Sequence, residues 1–274
     1  MRHMFRRHAV PAAGCPPRHG TSHAWLPWWR LLALLVLILL LVLLAAPSAG
    51  AAAGPAVPAA ARVVTEQALA AYQAGRFEQA LAGFGRAARE GDRLAQYDYA
   101  MMLLRGEGTP VRADEAMVWL KKAADNDMTH AQYTWGEMYE HGDLLPRSLE
   151  QANVWYERAA RGGHVAAQMA LATNYFTGRG VARDYGKAFQ WYRRAADAGN
   201  GDAQYIVASY YERGEPGVVG QDAGQARIWY ARSAAHGDPA ALAKLRSMIE
   251  QDVRERQARQ DQLDHRGERA GAGP

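Results

Sequence analysis

The sequence predicts an all-α solenoid of antiparallel helix pairs, preceded by a single N-terminal apolar helix. Three observations predict it. Ala-Gln recurs at Ala95-Gln96, Ala131-Gln132, Ala167-Gln168 and Ala203-Gln204, in steps of 36 residues. Trp119, Trp155 and Trp191 keep the same 36-residue step, and Trp229 follows after 38. Within each period apolar residues recur near the helical spacing, as at Ala188, Trp191, Tyr192 and Ala195. One helix pair cannot bury its apolar face alone, whereas a stack of them can.

The N-terminal elements come first. Residues 1–30 carry Arg2, Arg6, Arg7, Arg18 and Arg30 with no Asp or Glu, and form a basic leader on the cytoplasmic side. Leu31 to Ala46 read LLALLVLILLLVLLAA, and no charge falls between Arg30 and Arg62. The uncharged residues reach Ala53, so 31–53 reads either as a transmembrane anchor or as the apolar core of a cleaved signal. An anchor needs about 20 apolar residues, and Trp25, Trp28 and Trp29 sit where an interface belt belongs. A signal needs small residues at its cut site, which Ala49-Gly50-Ala51 supplies. In both cases arginines upstream place the repeat domain on the non-cytoplasmic side, in the periplasm. Residues 47–61 are Ala, Pro and Gly with Ser48 and Val57, too poor in large apolar groups to form a core, and read as a spacer.

The repeat domain spans 62–264, with units near 65–91, 92–127, 128–163, 164–199 and 200–238 and a cap at 239–264. Each phased unit opens with a helix such as AQYTWGEMYEHG (131–142), turns through glycine, and continues with a helix such as EQANVWYERAARGG (150–163). Gly142, Gly178 and Gly214 sit where a left-handed C-cap ends the first helix. Ser148, Asp184 and Asp222 sit at N-caps of second helices, and Gln151 stands at the capping-box spacing from Ser148. Ala116, Ala152, Ala188 and Ala226 form one column and Ala124, Ala160, Ala196 and Ala234 another, letting neighbouring helices approach. The two extra residues of the last unit fall in the loop Gly214–Gly220. The tail 265–274, HRGERAGAGP, is expected to lie outside any ordered element.

The pattern Ala-Gln, Tyr-x-x-Gly, then Asp-x-x-Lys-Ala-x-x-Trp-Tyr-x-x-Ala-Ala resembles the SEL-one-like repeat, a subclass of tetratricopeptide repeats. Tyr175, Gly178, Gly180, Asp184, Lys187, Ala188, Trp191, Tyr192, Ala195 and Ala196 carry it in residues 167–199. Residues 65–91 look more like an ordinary tetratricopeptide unit. Tyr99, Trp135 and Leu120 depart from the pattern in volume. The resemblance implies a right-handed superhelix of about five repeats, with first helices lining the concave side.

Several function classes drop out. Outside the leader the chain is near neutral, which gives no basic face for nucleic acid. Cys15 is the only cysteine, so no intrachain disulfide exists. No Gly-x-Ser-x-Gly, phosphate-loop or His-Glu-x-x-His motif occurs, and neither catalysis nor a cofactor is expected. His130, His141, His164 and His236 lack paired ligand spacing and read as surface or helix-end residues, not a metal site. Glu137, Glu140 and Asp143 read as a solvated helix face.

The concave face then becomes the candidate site. Carried over by register, three columns line it. They are Tyr97, Tyr133, Met169 and Tyr205; Met101, Glu137, Thr173 and Ser209; and Leu104, Glu140, Phe176 and Glu212. Exposed Tyr and Met offer large contact area at modest entropic cost, as binding hot spots do; packing of the rings between helices is the other reading. The expected partners are envelope proteins or peptides, bound by a non-enzymatic scaffold. Two alternatives stand beside it: a cell-wall ligand binder or hydrolase acting on β-lactam or peptidoglycan, and a cytoplasmic adaptor.

Overall fold

The computed structural model describes residues 57–271, with side chains to 265. The basic leader, the apolar run 31–53 and the spacer up to residue 56 lie outside the described residues. Among the described residues no helix is long and apolar enough to cross a membrane.

Among the described residues eleven helices follow one another: α1 (Ala59–Gln73), α2 (Phe77–Arg89), α3 (Arg93–Arg105), α4 (Ala113–Asp125), α5 (Thr129–His141), α6 (Leu149–Arg161), α7 (Val165–Thr177), α8 (Tyr185–Asp197), α9 (Gly201–Arg213), α10 (Ala223–Ala235) and α11 (Pro239–Gly271). Each packs chiefly on its neighbours in the chain, within a pair and then between pairs. That nearest-neighbour stacking defines a solenoid. Every helix from α3 to α10 is 13 residues long.

Four repeated devices explain the repeated residues. First, the glutamine of each Ala-Gln is buried and its Nε2 donates to a carbonyl in the last turn of the preceding second helix. The bonds run Gln96 to Ala88, Gln132 to Ala124, Gln168 to Ala160 and Gln204 to Ala196, at 3.0–3.2 Å. A helix end leaves four carbonyls without partners, so the motif ties one unit to the next. Second, the residue before each second helix donates its N–H back to the first helix: Arg112 to Leu103, Ser148 to Tyr139, Asp184 to Tyr175 and Asp222 to Tyr211. Third, the first alanine column is buried throughout; in the second, Ala234 is half-buried. Fourth, each column tryptophan packs against a cation, and two are clamped by a pair. Trp155 lies between Lys121 and Arg158, and Trp229 between Arg193 and Arg232, at 4.4–5.5 Å from ring centroid to charged group. Trp155, Trp191 and Trp229 are buried, while Trp119 is half-buried.

The structure corrects several expectations. Helix α1 begins at Ala59, inside the expected spacer, because alanine favours helix and Ala61 finds a fully buried place. Helix α11 runs to Gly271, beyond the expected start of the loose tail; no proline interrupts it after Pro239, and residues 250–264 add i,i+4 pairs such as Gln257 with Asp261. Only half of the capping box at Ser148 forms. Its hydroxyl accepts from Gln151 N–H at 3.2 Å, but its own N–H is already taken by Tyr139. Gly142 and Gly178 adopt the left-handed C-cap, whereas Gly214 has φ 72° and ψ 152°. The inserted loop there closes on itself instead, with Glu215 and Val219 bridged antiparallel. At Gly180 (φ +68°) an added Cβ would lie 2.5 Å from that of Leu149, so loop and preceding second helix touch only because no side chain intervenes.

Candidate functional site: the first-helix face

The odd-numbered helices α3, α5, α7 and α9 carry all twelve candidate residues. None is fully buried. Thr173 and Phe176 are exposed, and the other ten are half-buried. They sort into three environments.

The tyrosine column packs sideways between units. Tyr133 stacks on His164 with centroids 4.5 Å apart, Tyr97 tilts against His130 at 6.2 Å, and His130 meets His164 edge-on at 4.8 Å. Tyr205 sits edge-on to Tyr230 at 5.3 Å. Met169 packs against the C-terminal core. Burial and the adjacent Glu137 push the Tyr133 hydroxyl up to about 12. His164 is the N-cap of α7, its Nδ1 accepting from Ala167 N–H at 3.2 Å. Burial, with the charge of His130 beside it, lowers the His164 pKa. These histidines thus belong to helix ends and stacking, and no metal-binding group of three ligands occurs among the described residues.

The third column is largely committed inward. Tyr156 Oη donates to Glu140, which also pairs with Arg179 at 2.6 Å. Tyr230 Oη donates to Glu212 at 2.6 Å, and Lys244 Nζ reaches the same carboxylate at 2.9 Å. Glu140 is therefore not part of a solvated face; its side chain is 14% exposed. Burial would raise Glu212, yet the Tyr230 and Lys244 hydrogen bonds hold its carboxyl below the ordinary value. Burial and the same carboxylates drive Tyr156 and Tyr230 upward. The equivalent pair in the first phased unit is Leu104 with Leu120, which share an apolar cluster without any polar bond. In the third unit Phe176 replaces the carboxylate and Tyr192 turns to Thr173, 3.0 Å away. Ser209 is likewise engaged, donating to the Ile206 carbonyl at 2.9 Å.

What remains open lies mainly toward the N-terminal end. Leu69 and Tyr72 of α1, with Tyr97, Asp98 and Met101 of α3 and Glu107 beyond it, line a pocket of about 120 Å³. Phe84, Met102 and Arg105 complete it. Tyr97 and Met101 were legible as site residues; Asp98 and Glu107 were not. The signal at Asp98 was a break in register, since Thr134, Ala170 and Ile206 stand there in later units; Glu107 gave none, because Asp143 and Glu215 repeat the acid.

The sequence model of the Sel1 repeat matches residues 93–128, 129–164, 165–200 and 201–238. The chain belongs to the Sel1 repeat family. The matched copies are α3–α4, α5–α6, α7–α8 and α9–α10, so α1–α2 stand before the Sel1 copies and α11 after them. A Sel1 repeat protein from Oxalobacter formigenes is 30% identical over 63% of this chain and 50% of its own, with a TM-score of 0.59. This chain thus spans half the length of that relative. A protective antigen of uropathogenic Escherichia coli with an SLR fold is 25% identical over 70% of this chain and 57% of its own, at a TM-score of 0.34. The cysteine-rich protein B of Helicobacter pylori is 19% identical over 47% of this chain and 96% of its own, at 0.40. No curated protein matches the chain. Sel1 repeat proteins are helical arrays that generally act as protein-interaction scaffolds.

Proposed function

We propose that this Sel1 repeat protein is a non-enzymatic scaffold of the bacterial cell envelope. Its repeat domain stands on the periplasmic side, tethered through residues 31–53 or released after cleavage there, and captures partner proteins on the first-helix face. One observation carries the reading. On that face Tyr97, Met101 and Phe176 present rings and a thioether on rigid, phased helices, with no internal hydrogen bond holding them. Rigid aromatic and methionine anchors on a scaffold suit protein capture. The run of arginines, leucines and small residues before the repeats supports the envelope placement.

Crosslinking in intact cells tests the capture, with the tagged full chain and a Met101→Ala/Phe176→Ala variant whose thermal unfolding matches the parent. Specific partners lost in the variant are expected. An unchanged partner set in the folded variant contradicts the first-helix face. A reporter fused after the last residue tests the placement: activity confined to the cytoplasm contradicts it.

A further inference from the structure

The pocket between α1 and α3 is where the chemistry of the face changes. Asp98 stands in the middle of α3, where a helix facing another helix ordinarily carries a small or apolar group, as Thr134, Ala170 and Ile206 do in register. No hydrogen bond or ion pair engages its carboxyl among the described residues. Glu107 contributes a second carboxylate. Its Oε1 accepts from Tyr72 Oη at 3.3 Å, while its Oε2 is buried with no partner. A buried acceptor left unpaired is a standing cost, tolerated where something else pairs with it. Burial, with the nearby Asp92 carboxylate, pushes Asp98 up to about 6, and Arg105 only partly offsets this. Arg105 is exposed and pairs with neither carboxylate.

The rest of the lining fixes what could fit. Leu69, Phe84 and Met101 supply apolar wall, and Tyr72 and Tyr97 supply rings. At about 120 Å³ the space is well below the roughly 300–1,000 Å³ of small-molecule sites; it is the size of one side chain. With Asp98 and Glu107 set against Arg105, the lining carries a net negative charge. An apolar stem ending in a cation is the complement: the stem lies on the wall, the head reaches the carboxylates, and the rings attract the cation through their faces. The geometry points to this pocket as the seat of one basic side chain, lysine or arginine, from a segment of a partner protein. This deepens the scaffold reading above and rests on it.

Four blocked alanine pentapeptides test it, differing only in a central arginine, lysine, citrulline or glutamate. Each is titrated into the full chain while the Met101 and Met102 methyl signals are followed by NMR. The arginine and lysine peptides shift those methyls, and the neutral and acidic peptides do not at the same concentration. Asp98→Asn, nearly the same shape, weakens the basic peptides about tenfold, the loss of one charge-assisted bond. Arg105→Ala tightens them by removing a like charge. An equal response to citrulline, an unaffected Asp98→Asn protein or weaker binding by Arg105→Ala overturns the pocket. Crosslinked capture in cells separates the two readings. Partners held at parental yield by both variants overturn the pocket and leave the scaffold standing. No partner above background with the parent protein overturns the scaffold, and the pocket with it.

Discussion

At the N-terminal junction α3 and α4 share the register of the central stack, α5 to α10, and use it differently, packed on α1 and α2, which lie outside the Sel1 copies. In the central stack two first-helix carboxylates are consumed. Glu140 is held by Tyr156 and Arg179, and Glu212 by Tyr230 and Lys244. Each such cluster joins the two helices of one unit to a residue of the segment that follows, Arg179 after α7 or Lys244 on α11, which is how a quasi-one-dimensional array transmits stability. At the junction the same positions hold Leu104 and Leu120, and apolar contact closes the pair. The acids there are Asp98, which has no acidic counterpart in later units, and Glu107, which repeats as Asp143 and Glu215. Among the described residues no bond engages Asp98, and Glu107 leaves one buried oxygen without a partner. The difference teaches that a repeat scaffold opens a site by replacing a bonded acid and tyrosine with leucines and adding one acid, Asp98, elsewhere on the same helix.

Substitutions break or sharpen that contrast, beginning with the largest effect. Trp229 is 2% exposed and clamped by two arginines, so Trp229→Ala should cost about 3–5 kcal/mol in denaturant unfolding. Trp119→Ala at the half-buried junction position should cost clearly less. An equal loss at both sites would erase the distinction in packing.

Asp98→Asn should do the opposite and stabilise the protein at pH 7, by at most about 3 kcal/mol. The unfolded carboxyl releases its proton near 3.8 and the folded one near 6. Between those values the folded state holds the extra proton, so stability falls as pH rises and the full penalty stands above pH 6. The gain from Asp98→Asn should therefore fade below pH 4. Melting curves at pH 3.5, 5 and 7 check it, and a gain independent of pH speaks against the buried charge.

Tyr156→Phe should cost about 1–2 kcal/mol, because it leaves a largely buried carboxylate short of a donor. Tyr192→Phe, which loses only the neutral Thr173 hydroxyl, should cost less. Smaller again are the caps. Ser148→Ala should lose about 1 kcal/mol. Arg112, which precedes α4 and gives it no side-chain cap bond while pairing with the exposed Glu115 at 3.5 Å, should give a gain of up to that size when replaced by Ser.

Much of this architecture was legible in the sequence. The period placed helices α3 to α10, since Ala-Gln and Trp repeat at fixed phase and the caps Ser148, Asp184 and Asp222 mark second-helix starts. The ends were less legible because they stand outside the repeat: nothing periodic marks Ala59 as a helix start or carries α11 to Gly271. The candidate site was legible as a face but not as a division of labour. Spacing shows which residues share a column. Whether Glu140 faces solvent or a tyrosine hydroxyl depends on the helix packed across from it, which no single column encodes. Asp98 was visible as a departure from register, although its significance needed the partner helix α1 and the Glu107 oxygen beside it.

Titration of the carboxyl groups in the full chain, read by carbon NMR, tests the contrast most directly. The account predicts that Asp98 titrates near pH 6 while Glu212 titrates below the ordinary glutamate range. If both titrate at ordinary carboxylate values, Asp98 is not a buried unpaired acid and Glu212 is not held by its partners, and the division of the first-helix face fails.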